Sequence, residues 1–179
     1  MTRIIAGSAR GRRLAVPPGV ATRPTSDKVR GAVMNVLGQF FEGGDVVDLY
    51  AGSGALALEA LSRGCRRAVC VERDGRALEA LARNAQACGF ADRVELVRAE
   101  LPAGLARLAR DRFALAFVDA PYADGPQAVL EGLGPSMVTD GRVVAEHDAR
   151  RPPPDRIGSL ALVDRRSYGG TGISIYRRE

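Results

Sequence analysis

The chain has 179 residues, 46% of them hydrophobic, and a net charge of +5, which is enough apolar side chain to build one core without staples. Its three cysteines, Cys65, Cys70 and Cys88, show neither C-x-x-C spacing nor a partner histidine cluster, which excludes a disulfide framework and a metal site and points to a reducing compartment. The amino terminus lacks the apolar core of a signal peptide and no apolar run reaches membrane-spanning length, so a cytoplasmic protein with no membrane contact is expected.

The charge is unevenly spread. Arg3, Arg10, Arg12, Arg13, Arg23, Lys28 and Arg30 stand against Asp27 alone in the first thirty residues, a balance of +6, and the remainder is near −1. Clustered cations on an otherwise neutral chain suggest a polyanion partner, because they release counterions from a phosphate backbone. These seven side chains are the candidate nucleic-acid-binding set, for RNA or DNA. The runs Ile4-Ile5-Ala6-Gly7 and Arg13-Leu14-Ala15-Val16, joined by Ser8-Ala9-Arg10-Gly11, predict a small β-hairpin, so residues 1–20 are expected as a basic arm and residues 21–179 as the main domain, in one globular unit. Polar residues 22–27 then offer helix caps before Val29, Val33, Val36, Leu37 and Phe40, which share one helical face.

From Asp45 onward strands and helices alternate. Strands are expected over residues 46–49, 67–72, 93–97, 113–118 and 141–146, with helices after the first glycine loop and over residues 74–88, 102–109 and 127–133. Continuous apolar strands separated by helices predict a largely parallel sheet covered on both faces. The last two β-type runs, residues 159–166 and 172–178, have only a glycine turn between them and so predict an antiparallel hairpin closing an α/β sheet.

Candidate chemistry sits at the carboxyl ends of the predicted strands, where such sheets bind ligands. In Asp48-Leu49-Tyr50-Ala51-Gly52-Ser53-Gly54, the glycines let the backbone turn sharply against a ligand while the next helix offers its amino-terminal N–H groups. Glu72, twenty residues after Gly52, ends the second strand and can accept hydrogen bonds from the two ribose hydroxyls of a nucleoside. NAD and S-adenosylmethionine both satisfy this pattern. Asp48 tilts the choice, because a carboxylate opposes phosphates and suits a phosphate-free, cationic cofactor, and the terminal hairpin tilts it the same way. Asp119-Ala120-Pro121-Tyr122 follows the fourth strand. The Asp119 carboxylate and a backbone carbonyl held out by Pro121 can orient an exocyclic amine whose lone pair is otherwise delocalised, while the Tyr122 ring stacks on the base. The ring, not the hydroxyl, is the expected working part of Tyr122.

These motifs, with Thr22-Arg23-Pro24-Thr25-Ser26-Asp27-Lys28, Leu58-Glu59-Ala60-Leu61-Ser62-Arg63-Gly64 and Tyr168-Gly169, make the whole chain resemble the RsmD-like methyltransferases, which modify guanine N2 in bacterial small-subunit (16S) ribosomal RNA. The resemblance implies a class I S-adenosylmethionine-dependent, Rossmann-like fold. Its mostly parallel seven-stranded sheet would carry a C-terminal antiparallel hairpin and a small amino-terminal β-hairpin extension. It implies S-adenosylmethionine as cofactor, S-adenosylhomocysteine as product, and 16S rRNA or an assembling small ribosomal subunit as partner. By resemblance, Asp48, Gly52, Gly54 and Glu72 line the cofactor site, Glu100 stands near the adenine, and Asp119, Pro121 and Tyr122 hold the guanine.

One position departs from the family pattern of Asp-Pro-Pro-Tyr: Ala120 replaces the first proline. Pro121 still biases Ala120 toward an extended backbone. The lone His147 reads as a structural or edge histidine rather than a base, since this chemistry can shed its proton to water. Competing readings are a methyltransferase on another planar amine, such as adenine N6, a catalytically silent RNA-binding assembly factor, and an NAD-dependent oxidoreductase.

Overall fold

β1 (Asp45–Leu49) is buried along its whole length, as five consecutive inward-packed residues require of a strand covered on both faces. The computed structural model describes residues 2–16, 27–38 and 41–179, with the backbone alone for Asp27 and Lys28. The cap candidates at 22–26, and Phe40, lie outside the described residues. The chain divides into two compact units, Met1–Ala99 and Glu100–Glu179.

In the first unit, β2 (Arg67–Glu72) pairs in parallel with β1 on one side and with β3 (Val94–Arg98) on the other, Val47 opposite Val69 and Val69 opposite Glu95. α1 (Asp27–Leu37), α2 (Ala55–Ser62) and α3 (Gly75–Ala87) accompany them. α3 starts where Asp74 accepts a hydrogen bond from the Arg76 N–H at 2.8 Å, an N-cap, and buries Ala77, Leu78, Leu81 and Ala85 on one face. Val46, Val47, Leu49, Leu58, Leu61, Val69, Val71 and Leu81 form the core.

Residues 2–16 make a hairpin held by one isolated antiparallel bridge, Arg3 with Arg13, and by the Ile4 N–H on the Arg12 carbonyl. It is not a free arm: Ile4, Ala9 and Leu14 are buried, because its backbone is hydrogen-bonded to α2. The described hairpin lies within the first unit, Met1–Ala99.

The second unit opens with a 3-10 helix, Ala103–Arg107, where a helix over 102–109 is predicted; 3-10 geometry is the form that short helical connectors commonly take. β4 (Phe113–Val118), α4 (Gln127–Leu133) and β5 (Met137–Asp148) follow, with β4 and β5 parallel. After them come β6 (Arg156–Ile157), β7 (Leu160–Tyr168) and β8 (Thr171–Arg178). β8 pairs antiparallel with both β5 and β7, and β7 carries β6 at its outer side. β6 makes eight strands among the described residues against the seven expected, and two residues carry no periodicity that a sequence can show. Phe113, Phe117, Val143, Leu130, Leu133, Ile173 and Tyr176 fill this unit's core.

Candidate functional site

In the first unit the loop leaving β1 is bent by three residues of positive φ, Tyr50 (68°), Gly52 (55°) and Gly54 (84°). A Cβ at Gly54 would fall 2.6 Å from Leu81 Cγ, so close approach of α3 and the left-handed backbone both demand glycine there. Tyr50 is a non-glycine residue held in the same region, the kind of local strain that persists only where surrounding structure fixes it. Here the Tyr50 and Ala51 N–H groups both donate to the Val71 carbonyl, at 3.1 Å each.

Glu72 and Gly52 are brought together. Glu72 Oε2 accepts the Gly52 N–H at 3.0 Å, and Oε1 accepts the Arg73 and Asp74 N–H groups at 2.8 and 2.9 Å. Glu72 is half-buried, and a carboxylate has about four acceptor directions, so a ribose hydroxyl can still be taken up at its open side. This donor and acceptor set fits a nucleoside-containing cofactor. Asp48 is placed differently from the expectation of a carboxylate lining the ligand face: it is 1% exposed and accepts the Ala57 N–H at 3.0 Å, so it braces the start of α2 from beneath the loop. Its charge also helps to push the buried Cys70 thiol well above its ordinary range, burial being the larger cause. Asn84 of α3, which the sequence pattern does not single out, is 3% exposed; it accepts from the Ala15 N–H and donates to the Ala15 and Ser53 carbonyls, at 2.8, 2.9 and 2.9 Å. It ties the hairpin to the glycine loop.

Of the expected cationic set, Arg3, Arg10, Arg12 and Arg13 are exposed. Arg30 is not available to phosphate: it is 1% exposed, donates to the Arg3 carbonyl, and stands 3.9 Å from Glu59 Oε2. Burial has turned its charge inward. Arg23 and the Lys28 side chain lie outside the described residues.

In the second unit Glu100 is exposed, and its carbonyl accepts the Gly104 N–H at 2.7 Å. Asp119, Ala120, Pro121 and Tyr122 leave the carboxyl end of β4, with Asp119 and Tyr122 half-buried and Ala120 buried. The Pro121 carbonyl accepts the Asp124 and Gly125 N–H groups, closing the turn. Tyr122 Oη lies 3.0 Å from Thr171 Oγ1 and 3.4 Å from Glu146 Oε1. Beside it a crevice of about 160 Å³ runs between the post-β4 loop (Tyr122, Asp124, Pro126) and the end of β5 (His147, Asp148, Arg151). His147 is 2% exposed and structural, as expected of it: Nδ1 donates to the Asp148 carbonyl and Nε2 accepts from Ser174 Oγ, both at 2.9 Å. Ser174 Oγ in turn accepts from Arg165 Nε at 3.0 Å, and in the neutral ring the Asp148 carbonyl keeps the proton on Nδ1. A Cβ at Gly172 would fall 2.2 Å from His147 Cε1, so this wall is built on that glycine. Burial, first of all, lowers the imidazole pKa. Asp148, paired with Arg150, is held down at about 2.

Glu59, Asn84, Glu146 and Thr171 make contacts that the sequence pattern does not assign to them. A lone acid inside the apolar run of α2 was a usable signal for Glu59; the others become visible only through contacts.

Parallel strands with a glycine loop after β1 and an acid closing β2, together with a parallel β4–β5 pair continued by antiparallel strands, define the class I S-adenosylmethionine-dependent methyltransferases. A Salinibacter ruber RNA methyltransferase solved with S-adenosyl-L-homocysteine shares this fold, at 22% identity, a TM-score of 0.64, and coverage of 87% of this chain and 93% of that one. The chain belongs to the family described as Conserved hypothetical protein 95, the RsmD-like family, whose model matches residues 2–177. It is 37% identical over 181 residues to ribosomal RNA small subunit methyltransferase D of Escherichia coli K12, covering 99% of this chain and 90% of that one. A hypothetical protein of Thermus thermophilus has the same fold at 30% identity, a TM-score of 0.81 and 98% coverage of each chain.

Proposed function

We propose that the chain methylates the exocyclic N2 amine of a guanine in small-subunit ribosomal RNA. The observation that carries this reading is Asp119 and Tyr122 at the carboxyl end of β4, with Tyr122 tethered by its hydroxyl beside the crevice. S-adenosylmethionine, when bound, supplies an electrophilic methyl group on a sulfonium. Gly52, Gly54 and Glu72 would hold it, Glu72 through a ribose hydroxyl, with Asp48 acting through the loop it braces; Glu100 is assigned to the adenine edge by the family resemblance.

The work of the chain's own residues is positional. An arylamine lone pair is delocalised and attacks poorly, so acceptors that fix the two N–H bonds turn it toward the methyl donor. Asp119 supplies one acceptor, and the Ala120 carbonyl, held out by Pro121, supplies the other. The Asp119 carboxylate also stabilises the positive charge that develops on nitrogen. Once the N–C bond has formed, the amine is acidic enough to give a proton to water, and no strong base is required. The buried, neutral His147 is consistent with this, since its two ring nitrogens are already occupied. Exposed Arg3, Arg10, Arg12 and Arg13 supply phosphate contacts.

Incubation of unmethylated small-subunit rRNA, free and in assembled subunits, with labelled S-adenosylmethionine, followed by nucleoside mass spectrometry, tests the reading. N2-methylguanosine is the expected product. N6-methyladenosine would replace the substrate assignment, and no methyl transfer to either form would favour the silent RNA-binding factor.

A further inference from the structure

Glu59 sits near the middle of α2 in the apolar run Ala55–Ser62 and is fully buried. Its carboxylate accepts the Ile5 N–H at 2.7 Å and the Ala6 N–H at 3.1 Å, and pairs with Arg63 Nε at 2.7 Å, with Arg30 Nε 3.9 Å away. One helical turn on, Ser62 Oγ donates to the Ala6 carbonyl at 2.6 Å and accepts the Ala9 N–H at 2.9 Å, while the Ser62 carbonyl accepts the Ser8 N–H at 2.8 Å. Residues 5–9 therefore lie along α2, with the Ile5, Ala6, Ser8 and Ala9 N–H groups and the Ala6 carbonyl all bonded to Glu59 or Ser62. A Cβ at Gly7 would fall 1.9 Å from the Ser62 carbonyl oxygen, and its φ is +84°, so the fit tolerates no side chain.

A fully buried carboxylate is costly unless hydrogen-bonded and paired, so the two amides are part of what makes Glu59 tolerable, and they commit the hairpin to this one placement. The result reaches the surface. The turn continues through the Arg10 N–H on the Gly7 carbonyl and the Arg12 N–H on the Ala9 carbonyl, and Arg10, Arg12 and Arg13 emerge exposed from a backbone that α2 holds still.

We propose that Glu59 and Ser62 are positioning residues for RNA: they fix the amino-terminal hairpin on α2 so that Arg10, Arg12 and Arg13 meet phosphates in a preset arrangement. This rests on the reading that these arginines contact the substrate RNA. Preorganisation of this kind acts on specific affinity and not on charge count, because loosening the hairpin leaves every guanidinium in place. It separates a positioned surface from a merely basic one.

The experiment compares Gly7→Ala and Ser62→Ala, which loosen the clamp without unburying a charge, with the charge reversal R12E/R13E. Small-subunit rRNA, free and in assembled subunits, serves as the probe, and KM, kcat, RNA affinity against salt, and S-adenosylmethionine affinity are measured. The two loosened variants are expected to raise KM and weaken RNA binding about tenfold, with kcat, cofactor affinity and salt slope unchanged. R12E/R13E is expected to weaken binding and to reduce the salt slope by about one for each phosphate no longer neutralised. Ser62→Ala is the milder change; if Gly7→Ala fails to fold, Ser62→Ala alone decides. Amide exchange that quickens over residues 5–12 in Ser62→Ala at wild-type KM would overturn the positioning role while leaving the RNA face intact. Wild-type RNA binding by R12E/R13E would instead overturn the RNA reading of this face.

Discussion

Tyr122 Oη lies 3.0 Å from Thr171 Oγ1, so the last strand of the second unit reaches back to hold the aromatic ring that follows β4. The sequence pattern assigns the work to the ring alone. The tether, shared at 3.4 Å with the buried Glu146, holds the ring plane, and on the proposed function that is the face on which a base would stack. Tyr122→Phe is therefore expected to raise KM by the worth of one lost hydrogen bond, about 0.5–1.5 kcal/mol or about two- to twelvefold. Thr171→Val should do the same, and Tyr122→Ala more, by the ~1–3 kcal/mol of base stacking. Steady-state methylation of small-subunit rRNA checks all three; a Thr171→Val enzyme with wild-type KM would show the tether to be idle.

Asp119 tests mechanism rather than binding. Asp119→Ala should slow single-turnover methyl transfer by roughly 10²–10³-fold, the usual loss for one preorganised electrostatic partner, with little change in S-adenosylmethionine affinity. Asp119→Asn keeps one acceptor oxygen and should be impaired less. A normal chemical rate in Asp119→Ala removes the residue from the mechanism.

Glu72 joins the ribose assignment to the loop itself. Because its carboxylate accepts from Gly52, Arg73 and Asp74, Glu72→Ala should cost about 1.5–3 kcal/mol of S-adenosylmethionine affinity, the range for hydrogen bonds to a charged group, without unfolding the domain. Glu72→Gln keeps one acceptor oxygen and should fall between. Calorimetric titration measures both, and wild-type affinity in Glu72→Ala would refute the assignment.

His147 gives a pH dependence with a definite sign. Burial lowers its pKa below the ordinary 6.5, with Arg165 opposing protonation and the Asp148 carbonyl and carboxylate favouring it. The unfolded chain then binds a proton that the native chain does not, so stability falls as pH drops below about 6.5 until the native pKa is reached. The thermal midpoint of the wild type should fall between about pH 7.5 and about pH 5.5 by more than that of His147→Asn, which has no such proton. Equal slopes for the two proteins would deny His147 this role.

The α/β alternation, the glycine turn at 52–54, the acid closing β2 and the Asp-Ala-Pro-Tyr turn after β4 are legible in the amino-acid order, because each is written locally. Apolar runs, helix periods and turn residues act through neighbours a few positions away. Partnerships between distant segments arise only on folding. Arg30 reads as a surface cation, but Glu59 and the Arg3 carbonyl stand beside it in the interior. Asp48 reads as a ligand-facing acid, but it is buried and accepts the Ala57 N–H. The hairpin reads as an arm, but Glu59 of α2 accepts two of its amides. β6 has too few residues to show a period. A side chain's charge is legible in sequence, but whether that charge faces solvent, ligand or core depends on desolvation and on which backbone groups arrive from elsewhere in the chain.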